Sequence, residues 1–136
     1  MNPEVTTRLL VAVTVIGSAL LAYGLAQRIW LRRAAVRVRG LRDYQTGHPA
    51  ILYFTTPTCA PCKTVQRPAI DSLKERLGSD LQVLEIDASS HPDLADDWGV
   101  LSVPTTFVID PLGQPRHVNH GVATAEKLYS QLKEII

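Results

Sequence analysis

At 136 residues the chain has room for one globular domain and little more. A domain of that size buries a usable core without a disulfide scaffold, and the overall charge of +1 singles out no class of partner. The distribution of charge is more telling: residues 1–42 set Glu4 against seven arginines, a net of +6, while the remainder nets −5. That split points to a basic element beside a membrane or a nucleic acid, joined to an ordinary acidic domain.

The first element decides between those two. Leu9 to Gln27 (LLVAVTVIGSALLAYGLAQ) carries no charge. As a helix it spans roughly 28 Å, close to the ~30 Å hydrocarbon core of a bilayer. Gly17, Ser18 and Gly24 would weaken a soluble helix and are ordinary in a membrane one. Trp30 then falls where an aromatic belt residue sits, followed by arginines. A buried core helix would need protein on all sides, more than one small domain supplies. A cleaved signal peptide would usually have a shorter apolar region, and Gly24-Leu25-Ala26 is only a passable cleavage site with Arg28 just beyond. The expectation is an uncleaved single-pass anchor, lipid-embedded through residues 9–27, with residues 1–42 as anchor plus basic juxtamembrane segment.

Six arginines after the span against Arg8 before it put the following domain on the cytoplasmic side of the cell membrane; the alternative is an extracytoplasmic domain. Ala34, Val38 and Leu41 keep helical spacing, so the helix is expected to run on past the membrane. The basic stretch reads as a headgroup-binding flank and not as a nucleic-acid site, for which no aromatic or motif pattern is present.

Gly47-His48-Pro49 breaks the chain and opens a globular part over residues 43–136. Ala50–Thr55 is predicted as an apolar strand. Cys59 to Leu77 is predicted as one helix with Val65, Ile70, Leu73 and Leu77 at helical spacing, Gly78 as its stop and a kink at Pro68. Leu81–Asp87 is a second strand, Pro92–Trp98 a short helix entered through Ser89 and Ser90, and Thr105–Asp110 a third strand. The Pro111-Leu112-Gly113 turn leads to a fourth around Arg116–Val118, and Thr124 caps a last helix with Leu128, Leu132 and Ile135 as its buried stripe. The order β-α-β-α-β-β-α implies a central sheet with helices on both faces. No internal repeat or low-complexity segment interrupts it.

The two cysteines, Cys59 and Cys62, sit three positions apart between the first strand and the helix. Backbone N–H groups and the dipole at a helix start favour thiolate over thiol, and Lys63 adds a nearby positive charge. Cys59 is then a nucleophile able to attack a disulfide, and Cys62, one turn on, can resolve the mixed disulfide. Pro61 lacks an N–H that would be unpaired there and stiffens the loop. The pair reads as a reversible redox switch. A static disulfide across so short a loop removes little chain entropy. The competing use is a soft-metal module for copper or zinc, although His117 and His120 are the only further histidines near a ligand spacing and lie far away in sequence. They read as surface residues, and no metal site is assigned. A third use keeps the domain for partner binding alone.

Thr58-Cys59-Ala60-Pro61-Cys62-Lys63 resembles the W-C-G-P-C-K motif of thioredoxin, and Trp98-Gly99-Val100-Leu101-Ser102-Val103-Pro104-Thr105 is similar to that family's Y-G-I-x-x-I-P-T segment. The resemblance covers about Pro49 to Ile136. It implies a thioredoxin-like α/β fold, a central mixed sheet of about four strands flanked by helices. It implies thiol–disulfide oxidoreductase activity toward protein disulfide substrates with no organic cofactor. The motif does not fix the direction of exchange, and it is the cytoplasmic placement that favours a reductase kept reduced by a dithiol electron donor. Cys59 and Cys62 would be catalytic and form the redox disulfide, with Thr58, Ala60, Pro61, Lys63 and Tyr53 tuning them. Pro104 would be cis, and with Val103 and Thr105 would dock an extended substrate. Asp87 closes the second strand and Gly121 follows the last, as in the family.

The departures are specific. Thr58 and Ala60 replace the usual tryptophan and glycine. Tyr53 stands where the family keeps a buried aspartate and Val83 where that residue's lysine partner would be, so the proton of the second cysteine is left to Tyr53, to water or to nothing. Pro68 lies one residue further from Cys62 than the family proline. The anchor leaves too little chain for the family's first strand and helix, unless Ile29–Arg42 supplies the helix.

Overall fold

Five of the six residues of Ala50–Thr55 are β-branched, aromatic, leucine or isoleucine, and all six are buried: this is β1, a central strand of the sheet. A computed structural model describes residues 3–39, 41 and 43–136, with side chains described outside residues 30–39. The Trp30 belt position and the arginine flank from Arg32 to Arg42 therefore lie outside the described side chains. The chain falls into two compact units, Met1–Ala34 and Ala35–Ile136.

The first unit belongs to α1 (Pro3–Arg39). Over Pro3–Ile29 this helix is long and apolar enough to cross a bilayer, and none of its most apolar stretch is buried in protein. Leucines, valines and isoleucines are exposed all round it, a pattern that suits lipid better than water. Three of its hydroxyls are paired within the helix: Thr7 donates to the Pro3 carbonyl (2.9 Å), Thr14 to that of Val11 (2.8 Å) and Ser18 to that of Val15 (2.9 Å). Such internal pairing is what a medium without water requires. The helix continues to Arg39, as the spacing of Ala34 and Val38 predicts.

In the second unit β1 pairs in parallel with β2 (Gln82–Asp87) and antiparallel with β3 (Thr105–Ile109), which pairs antiparallel with β4 (Pro115–His120). The order β2-β1-β3-β4 gives a mixed four-stranded sheet. Helices α2 (Arg67–Leu77) and α4 (Ala125–Lys133) cover one face and α3 (Pro92–Asp97) the other. On the first face Ile51, Tyr53 and Val108 pack with Ile70, Leu73, Leu128, Leu132 and both cysteines. Fully burying each leucine there contributes about 1.5–3 kcal/mol. On the second, Phe54, Trp98 and Phe107 form an aromatic cluster whose tightest pair, Trp98–Phe107, meets edge to face at 4.9 Å.

Sequence boundaries hold to within a residue or two for β1, β2, β3, α3 and α4, with Thr124 capping α4 through its hydroxyl. β4 is longer than the predicted Arg116–Val118, because its half-exposed alternation of Arg116, His117, Val118 and Asn119 gives little apolar signal. Gly113, at φ +82°, makes the β3–β4 turn, and the Tyr44 ring lies so close that a Cβ there would stand 3.1 Å from its hydroxyl. Asp110 holds that turn by accepting from Leu112 N–H, Gln114 N–H and Arg116 Nε.

The helix predicted from Cys59 to Leu77 is continuous from Ala60, with an irregularity that its apolar spacing does not announce. A π turn over Cys62–Gln66 precedes α2, with the Arg67 N–H reaching back to the Cys62 carbonyl. A π turn accommodates one extra residue in a helix. It absorbs the additional residue between Cys62 and Pro68, so that Pro68 directly follows the widened turn, where the regular hydrogen-bond ladder is already interrupted.

Candidate active site

The chain leaves β1 at Thr55, turns through Pro57 and Thr58, and brings the Cys59 N–H onto the Thr56 carbonyl (3.2 Å). Helical structure begins at Ala60, so Cys59 occupies the strand-to-helix junction predicted for it. Cys59 and Cys62 are joined in a disulfide, their Cα atoms 5.3 Å apart. Both are largely covered, but unequally: Cys59 is 8% exposed and Cys62 0%. The Cys62 N–H points at the Cys59 sulfur (3.3 Å). A donor aimed at that atom stabilises a thiolate there more than a thiol. Thr58, Ala60, Pro61 and Lys63 are all exposed around the pair.

Beneath the pair lies Tyr53, 1% exposed, whose hydroxyl donates to the Cys62 carbonyl (3.1 Å). Burial pushes the phenol above its ordinary range, with Thr55 and Arg67 opposing and Glu85 assisting. Tyr53 is thus a neutral donor and not a base. Val83 packs, half-buried, against the same cluster, and Arg67 and Glu85 form a salt bridge at the surface nearby.

The Val103–Pro104 peptide is cis, as the resemblance implies. Pro104 is buried and its carbonyl accepts the Gly121 N–H (2.8 Å), which requires the positive φ (+83°) that glycine adopts freely. Thr105, fully buried, donates through its hydroxyl to the Ser102 carbonyl (2.7 Å). Val103 is half-buried and packs against the cluster that holds both cysteines. Asp87 ends β2 with its carboxylate accepting from Ser89 and Ser90, which holds it below the usual carboxylate range.

Gln66 was not singled out in the sequence. It is fully buried at the end of the π turn and makes two hydrogen bonds to the Ala123 backbone, in the segment between Gly121 and α4. A signal existed: Gln66 lies four residues after Cys62 and four before Ile70, on the buried stripe, where a polar side chain needs a partner. His117 pairs with Glu134 (3.1 Å) and His120 is exposed. Among the described residues no cluster of three or more His, Cys, Asp or Glu could hold a metal.

Residues 42–134 match the family model described as thioredoxin. Among curated proteins, a thioredoxin-like protein of Synechocystis sp. is 31% identical over 88 residues, covering 65% of this chain and 82% of that one. The thioredoxin of Bacillus subtilis is 34% identical over 56 residues, covering 41% of this chain and 53% of its own. A chloroplastic thioredoxin Y of Oryza sativa is 28% identical over 88 residues, 65% of this chain and 51% of its own. The chain thus spans about half the length of these last two. Among solved structures, a single-residue variant of a thioredoxin from Halobacterium salinarum gives a TM-score of 0.58 at 24% identity, covering 65% of this chain and 75% of that one. A malarial protein gives 0.60 at 21%, covering 65% and 98%. At those identities the two structures speak for the fold alone.

A mixed sheet with helices on both faces and a Cys-x-x-Cys disulfide at a strand-to-helix junction define a thiol–disulfide oxidoreductase domain. The chain belongs to the thioredoxin family.

Proposed function

We propose that this chain is a membrane-anchored thiol–disulfide exchange protein that acts as a reductase of protein disulfides, with Cys59 attacking and Cys62 resolving. The observation that carries the assignment of roles is the asymmetry within one disulfide: Cys59 reaches the surface and receives the Cys62 N–H, whereas Cys62 is sealed.

In the proposed cycle the Cys59 thiolate attacks a substrate disulfide, forms a Cys59–substrate disulfide and expels one substrate thiolate. The Cys62 thiol then gives up its proton and attacks the Cys59 sulfur. The Cys59–Cys62 disulfide forms and the second substrate thiolate leaves. Two electrons pass to the substrate, and a dithiol donor restores the pair. With Tyr53 a neutral donor, the Cys62 proton would pass to the departing substrate thiolate or to water. Val103, Pro104 and Thr105 would present backbone to an extended substrate segment. Thr58, Ala60, Pro61 and Lys63 would frame its approach.

Residues 1–42 would serve as anchor and juxtamembrane segment and residues 43–136 as the redox domain. The apolar, unburied surface of α1 supports lipid embedding, and the arginines that follow it support a cytoplasmic domain. The test of function is direct. Metal-free, reduced full-length protein in detergent should reduce the disulfides of a test protein, and Cys59→Ser should abolish this; retained turnover in Cys59→Ser, or none in the unaltered protein, would contradict the reading.

A further inference from the structure

Cys62 is gripped at both ends. Its N–H faces the Cys59 sulfur (3.3 Å). Its carbonyl accepts the Arg67 N–H, closing the π turn, and also the Tyr53 hydroxyl (3.1 Å). Both lone pairs of that oxygen are therefore used, one by the helix itself and one by a side chain from the sheet beneath. The Tyr53 ring is locked by core packing among Ile51, Ile70, Leu73 and the cysteines, so its hydroxyl offers a fixed point. The helix alone offers a softer one, because a π turn is an uncommon, locally widened segment.

We propose that Tyr53 is a positioning residue for disulfide exchange: its phenol pins the Cys62 carbonyl so that the Cys62 amide stays aimed at the Cys59 sulfur after the disulfide opens. The inference rests on the exchange reading above and adds to it the device that keeps Cys59 reactive. The disulfide itself holds the two residues together only in the oxidised state. Once it is reduced, the hydrogen bond from Tyr53 is the constraint from outside the helix that acts on Cys62 itself, while Gln66 ties the far end of the π turn to Ala123. Burial keeps the phenol protonated through the neutral range, so the constraint does not switch off with pH there. The charged groups nearest this arrangement are Arg67 and Glu85, paired with each other, and Lys63 on the π turn. A change confined to the Tyr53 hydroxyl leaves all three in place.

Tyr53→Phe keeps the ring and removes the donor, and the Cys62 carbonyl retains its Arg67 partner. The measurement is the pH dependence of Cys59 alkylation by iodoacetamide in reduced full-length protein, in a Cys62→Ser background so that one thiol reports. The midpoint should rise by about half to one pH unit, slowing alkylation at neutral pH about three- to tenfold. Thermal unfolding should remain cooperative, since a merely structural role would move stability without moving the midpoint. An unchanged midpoint overturns the proposal.

Should Tyr53→Phe fail to fold, hydrogen exchange on the reduced unaltered protein decides. Protected Cys62 and Arg67 amides support the pinned turn, and exchange as fast as in exposed loops overturns it. Disulfide-reducing turnover is measured in parallel on the unaltered protein. Its absence would contradict the exchange reading, whereas turnover with an unshifted midpoint would contradict the Tyr53 role alone.

Discussion

Gln66 and Ala123, 57 residues apart in sequence, exchange two hydrogen bonds: Gln66 Nε2 donates to the Ala123 carbonyl (3.1 Å), and the Ala123 N–H donates to Gln66 Oε1 (2.8 Å). The amide side chain takes the place of a strand partner for one residue of backbone. It ties the π turn that carries Cys62 to the segment that leaves Gly121. All the groups involved are buried, so none has water to fall back on.

Gln66→Leu fills nearly the same volume but leaves the Ala123 N–H and carbonyl without that partner. Orphaning buried groups costs about 1–3 kcal/mol each, so a loss of about 3 kcal/mol is expected. For a domain of this size that lowers the melting temperature by roughly 10–20 °C. Thermal unfolding of the oxidised protein followed by circular dichroism is the check. A midpoint within a few degrees of the unaltered protein would show that the clamp contributes little.

The elements whose burial is continuous or periodic were legible. Ala50–Thr55 reads as a strand because every residue is core, and Thr124–Ile135 as a capped helix because its apolar residues recur every three or four positions. The cysteine pair and Pro104 were legible through motif spacing. What could not be read depends on distances that sequence does not carry. The π turn lies within an apolar spacing that reads as an ordinary helix and is fixed by a backbone hydrogen bond from Arg67 to Cys62. The hydrogen bond of Tyr53 depends on which face of β1 meets Cys62, and its hydroxyl finds a backbone carbonyl that no side-chain pattern announces. Gln66 is polar where the pattern calls for apolar, and only its partner across the fold explains it.

The proposed side of the membrane rests on charge alone and is tested by itself. Six arginines after the span against one before it predict a cytoplasmic domain. Intact cells, mildly reduced and treated with a membrane-impermeant thiol reagent, should show Cys59 labelled only after lysis. Labelling before the cells are broken would place the domain outside and make an extracytoplasmic exchange protein the better description.

The central claim is that one sulfur attacks and the other resolves, and trapping of mixed disulfides tests it most directly. Cys59, at the start of the helix, is the less deeply buried cysteine (8% exposed) and Cys62 the sealed one (0%). In cells expressing each variant of the full-length protein, alkylated at harvest and separated without reductant, Cys62→Ser should accumulate disulfide-linked adducts through Cys59. Cys59→Ser should accumulate none, because its remaining thiol cannot reach a substrate. Equal trapping by the two variants, or trapping by Cys59→Ser alone, would contradict the account.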